Sequence, residues 1–193
     1  MKRHIHLIIF LFASAGGCQT KIPNFNGDAA FAHLVAQCDF GPRNPGSVGH
    51  QKALEYYLNI LSPLADSVMT QPFIETMPRT KEKVEMHNVI AQFNPDAKKQ
   101  IMLSAHWDTR PWGDRSLSVM RKNQPILGAN DGASGVAVLL SLAKILHDNP
   151  QDIGVNLVLF DAEDYGTSGD SWSYCKGSQY FSKHLPIPLP EYA

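Results

Sequence analysis

Cysteine is scarce in this chain: three residues among 193, at positions 18, 38 and 175. No two of them stand at the short spacing of a thiolate zinc site, and so few cannot staple a disulfide scaffold. Any metal must therefore be held by histidine and carboxylate. Charge of one sign is lacking too. The 17 basic and 18 acidic residues leave a net charge of −1 and form no long run, which excludes the electrostatic footprint of a nucleic-acid binder and an acidic interaction tail. A small molecule or a peptide suits that balance better. No internal repeat or low-complexity stretch is present, and the apolar stretch at residues 7–12 is too short to cross a bilayer.

That stretch instead reads as the centre of an export signal. Lys2 and Arg3 precede it and Ala15-Gly16-Gly17 follow it, so residues 1–17 are expected to be a signal peptide. Cys18 directly after small residues resembles the bacterial lipobox, although Ala15 stands where that motif prefers leucine. On this reading Cys18 is acylated, residues 18–26 are a tether carrying Pro23 and two asparagines, and the protein sits in the bacterial cell envelope on a lipid anchor. Ordinary signal cleavage, with Cys18 incidental, is the alternative. Cys38 and Cys175 then either pair or simply pack.

Residues 27–193 are long enough for one α/β domain and short for two. Asp28 is placed to cap a helix over 28–38 with Phe31, Leu34 and Val35 on one face, broken by the Gly-Pro-Arg-Asn-Pro-Gly run at 41–46. Ser47 opens a second helix over 51–61, whose Leu54, Tyr57, Leu58 and Leu61 share a side. A strand is expected over 67–74, at a sheet edge because Pro72 has no N–H to donate. Residues 87–93 and 100–105 read as an antiparallel pair joined by a short loop. Asn130 or Asp131 then caps a helix over 132–147, striped by Val136, Leu139, Leu140, Ala143 and Leu146. The unbroken apolar run at 155–160 is the signature of a strand covered on both faces. With prolines at 186, 188 and 190, residues 185–193 can form neither helix nor central strand, and are expected to close no core.

Strand, helix and strand in this order make a right-handed crossover between parallel strands, and such sheets gather ligands beyond the strands' carboxyl ends. His106 and Asp108 lie just past the first strand, Glu163 and Asp164 just past the second, and Asp131 opens the crossover helix. Singly, each has a plain structural use: Asp131 as a cap, His106 as a satisfied polar residue, and the Asp-Ala-Glu-Asp string as a solvated turn. Together they converge on one rim. Catalytic zinc takes three N or O ligands and keeps one position open, which Asp131 and Asp164 suit, while an unbound neighbouring carboxylate such as Glu163 can shuttle a proton. Trp107, Trp112 and Trp172 are candidate walls of a substrate pocket. Cys175 and His184 read as structural.

The stretches FGPRNPGS (40–47), SAHWDTRPW (104–112), ILGANDGASGVAVLL (126–140), LVLFDAEDYG (157–166) and DSWSYCKGSQYFSK (170–183) resemble the glutaminyl-peptide cyclotransferases, in the bacterial branch similar to the animal enzymes, within the zinc aminopeptidase superfamily. The resemblance covers most of residues 28–183. It implies a three-layer α/β fold with a mixed sheet and helices on both faces. It also implies one zinc ion bound by Asp131 and Asp164, Glu163 as general acid/base, and a peptide or protein with N-terminal glutamine as substrate. His106 and Asp108 match residues that help to bind a second zinc in the aminopeptidases. The family's third ligand, a histidine from a distant downstream loop, has no counterpart here, since His184 does not match it. Further strands are expected past residue 193, so the chain resembles a C-terminally truncated form. Removal of N-terminal residues by an aminopeptidase, and an inactive remnant that merely binds peptide or metal, are the competing readings. Sequence leaves the oligomeric state open.

Overall fold

The computed structural model describes residues 22–193 except Pro78 and Arg115; the expected signal peptide and Cys18 lie outside the described residues. In chain order the elements are α1 (Gly27–Asp39), α2 (Val48–Leu61), β1 (Ser67–Thr76), β2 (Lys83–Phe93), β3 (Gln100–His106), α3 (Ala133–Asp148), β4 (Gly154–Phe160) and α4 (Lys176–Lys183). They build one mixed sheet in the order β1-β2-β4-β3.

β4 is buried almost throughout and lies between two neighbours, as its unbroken apolar run requires. It runs parallel to β3, with Leu103 opposite Leu157, and antiparallel to β2, with Ala91 opposite Leu157. The expected crossover β3-α3-β4 is therefore present. Pro72 sits on β1 at the edge of the sheet, again as expected.

The hairpin expected between β2 and β3 does not form. The two strands run in opposite directions, but β4 inserts between them, because a strand apolar on both faces gains most by lying inside the sheet. The loop that spans the gap is held by Gln100, whose Nε2 donates to the carbonyls of Asn94, Pro95 and Ala97 at 3.3, 2.9 and 2.9 Å.

Side chains alternate across the sheet and define two cores. Val89, Ala91 and Phe93 of β2 with Val155, Leu157 and Leu159 of β4 meet Ala53, Tyr57 and Leu61 of α2 and Val136, Leu139, Leu140 and Ala143 of α3. On the opposite face Ile90 and Val158 meet Phe181 of α4 and Ile187. Helices thus cover both faces, giving three layers. Ile187 belongs to this second core, so the proline-rich segment contributes more than its composition suggested. Its end lies along β3, with the Glu191 N–H donating to the Gln100 carbonyl at 2.9 Å and Met102 to Tyr192 at 2.8 Å.

Two capping expectations are corrected. Asn26 caps α1, its Oδ1 accepting from the Ala29 N–H at 3.0 Å, and Asp28 lies inside the first turn. At α3 the cap is Gly132 with no side-chain bond, because the carboxylate of Asp131 is drawn to an imidazole instead. Ser47 does cap α2, accepting from His50 at 3.1 Å. Cys38 and Cys175 are both free thiols.

Candidate active site

The carboxyl ends of β3 and β4 and the start of α3 open onto one cavity of about 640 Å³, lined among others by His106, Arg110, Trp112, Asp131, Glu163, Asp164 and Cys175. Crossover topology brings these groups together, as the sequence implied. His106 is their hub. Its Nε2 stands 2.8 Å from Asp131, and its Nδ1 stands 3.4 Å from Asp108 and 3.9 Å from Glu163. Burial opposes the charged imidazole, but the hydrogen bond and charge of Asp108, then Glu163 and Asp131, outweigh it and push the His106 pKa up to about 9. At neutral pH both ring nitrogens therefore donate. Gly132 allows this approach, since a Cβ there would stand 2.2 Å from the His106 carbonyl oxygen.

Asp108 lies beneath the cavity with no exposed surface. Its Oδ1 accepts the Glu163 N–H at 2.9 Å and its Oδ2 the Asp164 N–H at 3.1 Å. One buried carboxylate thus orients the backbone of both acids. The same turn is fixed from the other side by three amides at the start of α4: Cys175 to the Glu163 carbonyl, Lys176 to Ala162 and Gly177 to Asp161, at 2.9, 2.9 and 3.0 Å. Ala162 sits at a φ of 54°, the left-handed region, so the turn needs such anchoring.

Arg110 grips the far side of the site. Its Nη1 donates to the Asp164 carboxylate at 3.2 Å, and Nε and Nη2 form a fork onto Asp114 at 2.8 and 2.6 Å. Burial raises the Asp164 pKa, Arg110 opposes it, and the charges of Asp108, Asp131 and Glu163 add to the rise, leaving it at about 6. Arg110 lies in the SAHWDTRPW stretch but was not read as a site residue. A cation two places past Asp108 and facing a group of acids was the available signal.

The remaining expected residues divide. Trp112 walls the cavity. Trp107 is wholly buried in the core, stacked on His50 with ring centres 4.3 Å apart, and Trp172 is 79% exposed on the surface, outside the cavity lining. His184 bonds its own helix, at 3.1 Å to the Tyr180 carbonyl. Cys175, expected to be structural, lines the cavity with Sγ 3.5 Å from Glu163 Oε1. Sequence reasoning also missed Asp161, buried behind the acid turn, whose carboxylate is bound by His50 at 2.9 Å and by the N–H groups of His87 and Ala162, each at 2.8 Å.

Among the described residues no three His, Cys, Asp or Glu side chains are grouped as a metal site. Asp131 and Asp164 are chemically suited to zinc, and each is at present satisfied by a cation, His106 or Arg110. Two oxygen ligands leave a tetrahedral catalytic site one protein donor short.

The family description "Peptidase family M28" matches residues 88–191, from within β2 to the C-terminal segment. This chain belongs to peptidase family M28. Membership implies zinc. The M28 chain is 30% identical over 149 residues to a glutaminyl-peptide cyclotransferase of Drosophila melanogaster, covering 75% of this chain and 38% of the relative. A glutaminyl cyclase structure from Bacteroides thetaiotaomicron, bound to N-acetylhistamine, superposes with a TM-score of 0.83 at 34% identity, covering 89% of this chain and 61% of that one. A structure described as a leucine aminopeptidase precursor from the same organism superposes equally well, at 0.83 and 35% identity, with the same coverage. The chain spans about two fifths of the length of these curated cyclotransferases and about three fifths of the solved structures. The likeness bears out the expected three-layer zinc-exopeptidase-like fold.

Proposed function

We propose that this site belongs to a glutaminyl-peptide cyclotransferase, which closes an N-terminal glutamine into pyroglutamate and releases ammonia. The observation that carries the reading is the convergence of Asp131, Glu163 and Asp164 on one cavity, in a chain similar to cyclotransferases and cyclases across most of its length. Asp131 and Asp164 would hold the zinc together with a further donor. When bound there, zinc supplies Lewis-acid polarisation of the substrate's γ-amide carbonyl.

The chain's own groups do the rest. Glu163 accepts a proton from the substrate α-amine as the amine nitrogen bonds to the γ-carboxamide carbon. It returns that proton to the amide nitrogen as the carbon–nitrogen bond breaks and ammonia leaves. His106, charged at neutral pH, holds Asp131 and faces Glu163, and Asp108 fixes the main chain of both turn acids. Ring closure is intramolecular, so a cavity that holds the two ends of one residue together supplies much of the rate.

The aminopeptidase reading is favoured by the equally similar leucine aminopeptidase precursor. In that case Glu163 would activate water at a peptide bond. Incubation of the zinc-loaded protein with Gln-initiated and Leu-initiated peptides separates the two. Ammonia without free amino acid supports cyclisation, and free leucine overturns it. Export to the cell envelope with Cys18 lipidated is part of the proposal; normal processing of the precursor under inhibition of lipoprotein signal peptidase would refute the lipidation.

A further inference from the structure

Trp112 borders two cavities. One is the site cavity; the other, of about 410 Å³, is lined by the 44–47 turn, by Met77, Arg79, Thr80, Glu82 and Val84 of the β1–β2 hairpin, and by Pro111, Asn123 and Tyr165. A peptide whose first residue occupies the site cavity must lead its following residues out across a wall, and here one wall residue, Trp112, also lines the second groove. The groove has an apolar floor. Met77, Trp112 and Tyr165 are buried in one cluster, with Val84 packed against it. Over this floor the Arg79 guanidinium carbon lies 3.9 Å from the centre of the Trp112 ring, held by cation–π attraction. Among the described residues Arg79 makes no ion pair within 4.0 Å, although Glu82 lines the same groove and Asp114 feels its charge.

We propose that this groove is a subsite for the substrate residues that follow the first, and that Arg79, seated on Trp112, selects peptides with an acidic side chain there. The inference rests on the peptide-acting reading of the site. Its electrostatic logic is a gradient. The site cavity sets Asp114, Asp131, Glu163 and Asp164 against His106 and Arg110, an excess of acid that suits the amine end of a chain, while the groove presents a guanidinium whose fork matches a carboxylate. Glu82 weakens this selection, so its removal should sharpen it. Because Arg79 is exposed, the preference is a surface ion-pair effect of about threefold to fivefold.

The test measures fluorescence anisotropy of two labelled Gln-initiated pentapeptides, alike except for Asp-Asp or Lys-Lys at the third and fourth positions. It uses chelator-treated protein, so that binding is read without turnover. The wild type is expected to bind the acidic peptide about threefold to fivefold more tightly at low salt. Arg79→Glu should reverse that order, Arg79→Gln abolish it, and Glu82→Gln widen it. Equal binding of the two peptides by the wild type, binding of neither, or an equal loss for both in Arg79→Glu would overturn the subsite. An acidic preference that persists where no ammonia is released would sink the cyclase reading alone and leave the subsite standing.

Discussion

Arg43 has no exposed surface, and its guanidinium donates to four main-chain carbonyls: Trp107 at 3.1 Å, Gln37 at 3.2 Å, Leu127 at 3.1 Å and Gly128 at 2.9 Å. These oxygens belong to α1, to the end of β3 and to the loop that delivers Asp131, so a single side chain ties together the segments that carry the site. Arg43→Met keeps much of the volume and removes every donor. The Trp107 and Gln37 oxygens are buried, whereas those of Leu127 and Gly128 lie nearer solvent and Gly128 keeps the Ala133 N–H at 3.2 Å. An unpaired buried carbonyl costs about 1–3 kcal/mol, so the two buried ones give a loss of roughly 2–4 kcal/mol. Relief from burying the charge offsets part of this and leaves about 2 kcal/mol. With a urea dependence of about 2 kcal/mol per molar, the unfolding midpoint should fall by roughly 1 M, read by tryptophan fluorescence. Arg43→Lys, with one compact ammonium in place of a planar fork, should recover less than half of the loss. A midpoint within about 0.5 M of wild type for Arg43→Met would mean that the buried carbonyls find other partners, and the argument for Arg43 as the tie would fail.

Titration of His106 and Asp164 gives a second expectation. Both hold their proton more tightly in the folded chain, at about 9 and about 6, so both stabilise at low pH. Asp164's contribution is complete below its ordinary value of 3.8 and is lost as pH rises to about 6; that of His106 is complete below 6.5 and is lost as pH rises through about 9. Melting temperatures between pH 6.5 and 9.5 should therefore fall less steeply in His106→Gln than in wild type; parallel curves would contradict the assignment. Zinc must displace the proton of Asp164, so affinity measured by calorimetry should drop about tenfold per pH unit below 6, and a flat profile between pH 4.5 and 6 would exclude Asp164 as a ligand. The 193-residue chain should take up zinc weakly, since among the described residues no third His, Cys, Asp or Glu is grouped with the two carboxylates; tight one-to-one uptake would mean that a histidine such as His106 completes the set. In zinc-loaded, active protein Glu163→Gln should keep the metal and lose roughly a hundredfold or more in kcat, whereas loss of the metal would make Glu163 a ligand.

The parts of this fold that were legible in sequence are those fixed by one-dimensional patterns. The apolar run of β4 announced a strand buried on both faces, Pro72 announced an edge, and the stripe from Val136 to Leu146 announced the crossover helix that carries Asp131 to the rim. What failed needed a third dimension. Strand adjacency turned on the preference of β4 for two neighbours, which no local signal in the Asn94–Lys99 loop reveals, and the cap of α3 was lost because an imidazole 25 residues away competes for the Asp131 carboxylate.

The same distinction explains which site residues were visible. Asp131, Glu163 and Asp164 stand at element ends, where topology alone predicts convergence. Arg43, Arg110 and Asp161 act by filling hydrogen-bonding vacancies that other elements create, and their partners lie as far as 111 residues away in sequence. Such groups follow from a rule that is easy to apply afterwards: a buried polar atom must be paired. The acid turn shows its force. Glu163 and Asp164 line the cavity, yet their backbone amides end on buried Asp108, and the preceding Asp161 ends on buried His50. The reactive acids are therefore held from beneath by two buried carboxylates that need never touch the substrate. Substitution of Asp108 should accordingly disturb both turn acids at once, a coupled effect that neither Glu163 nor Asp164 substitutions can reproduce alone.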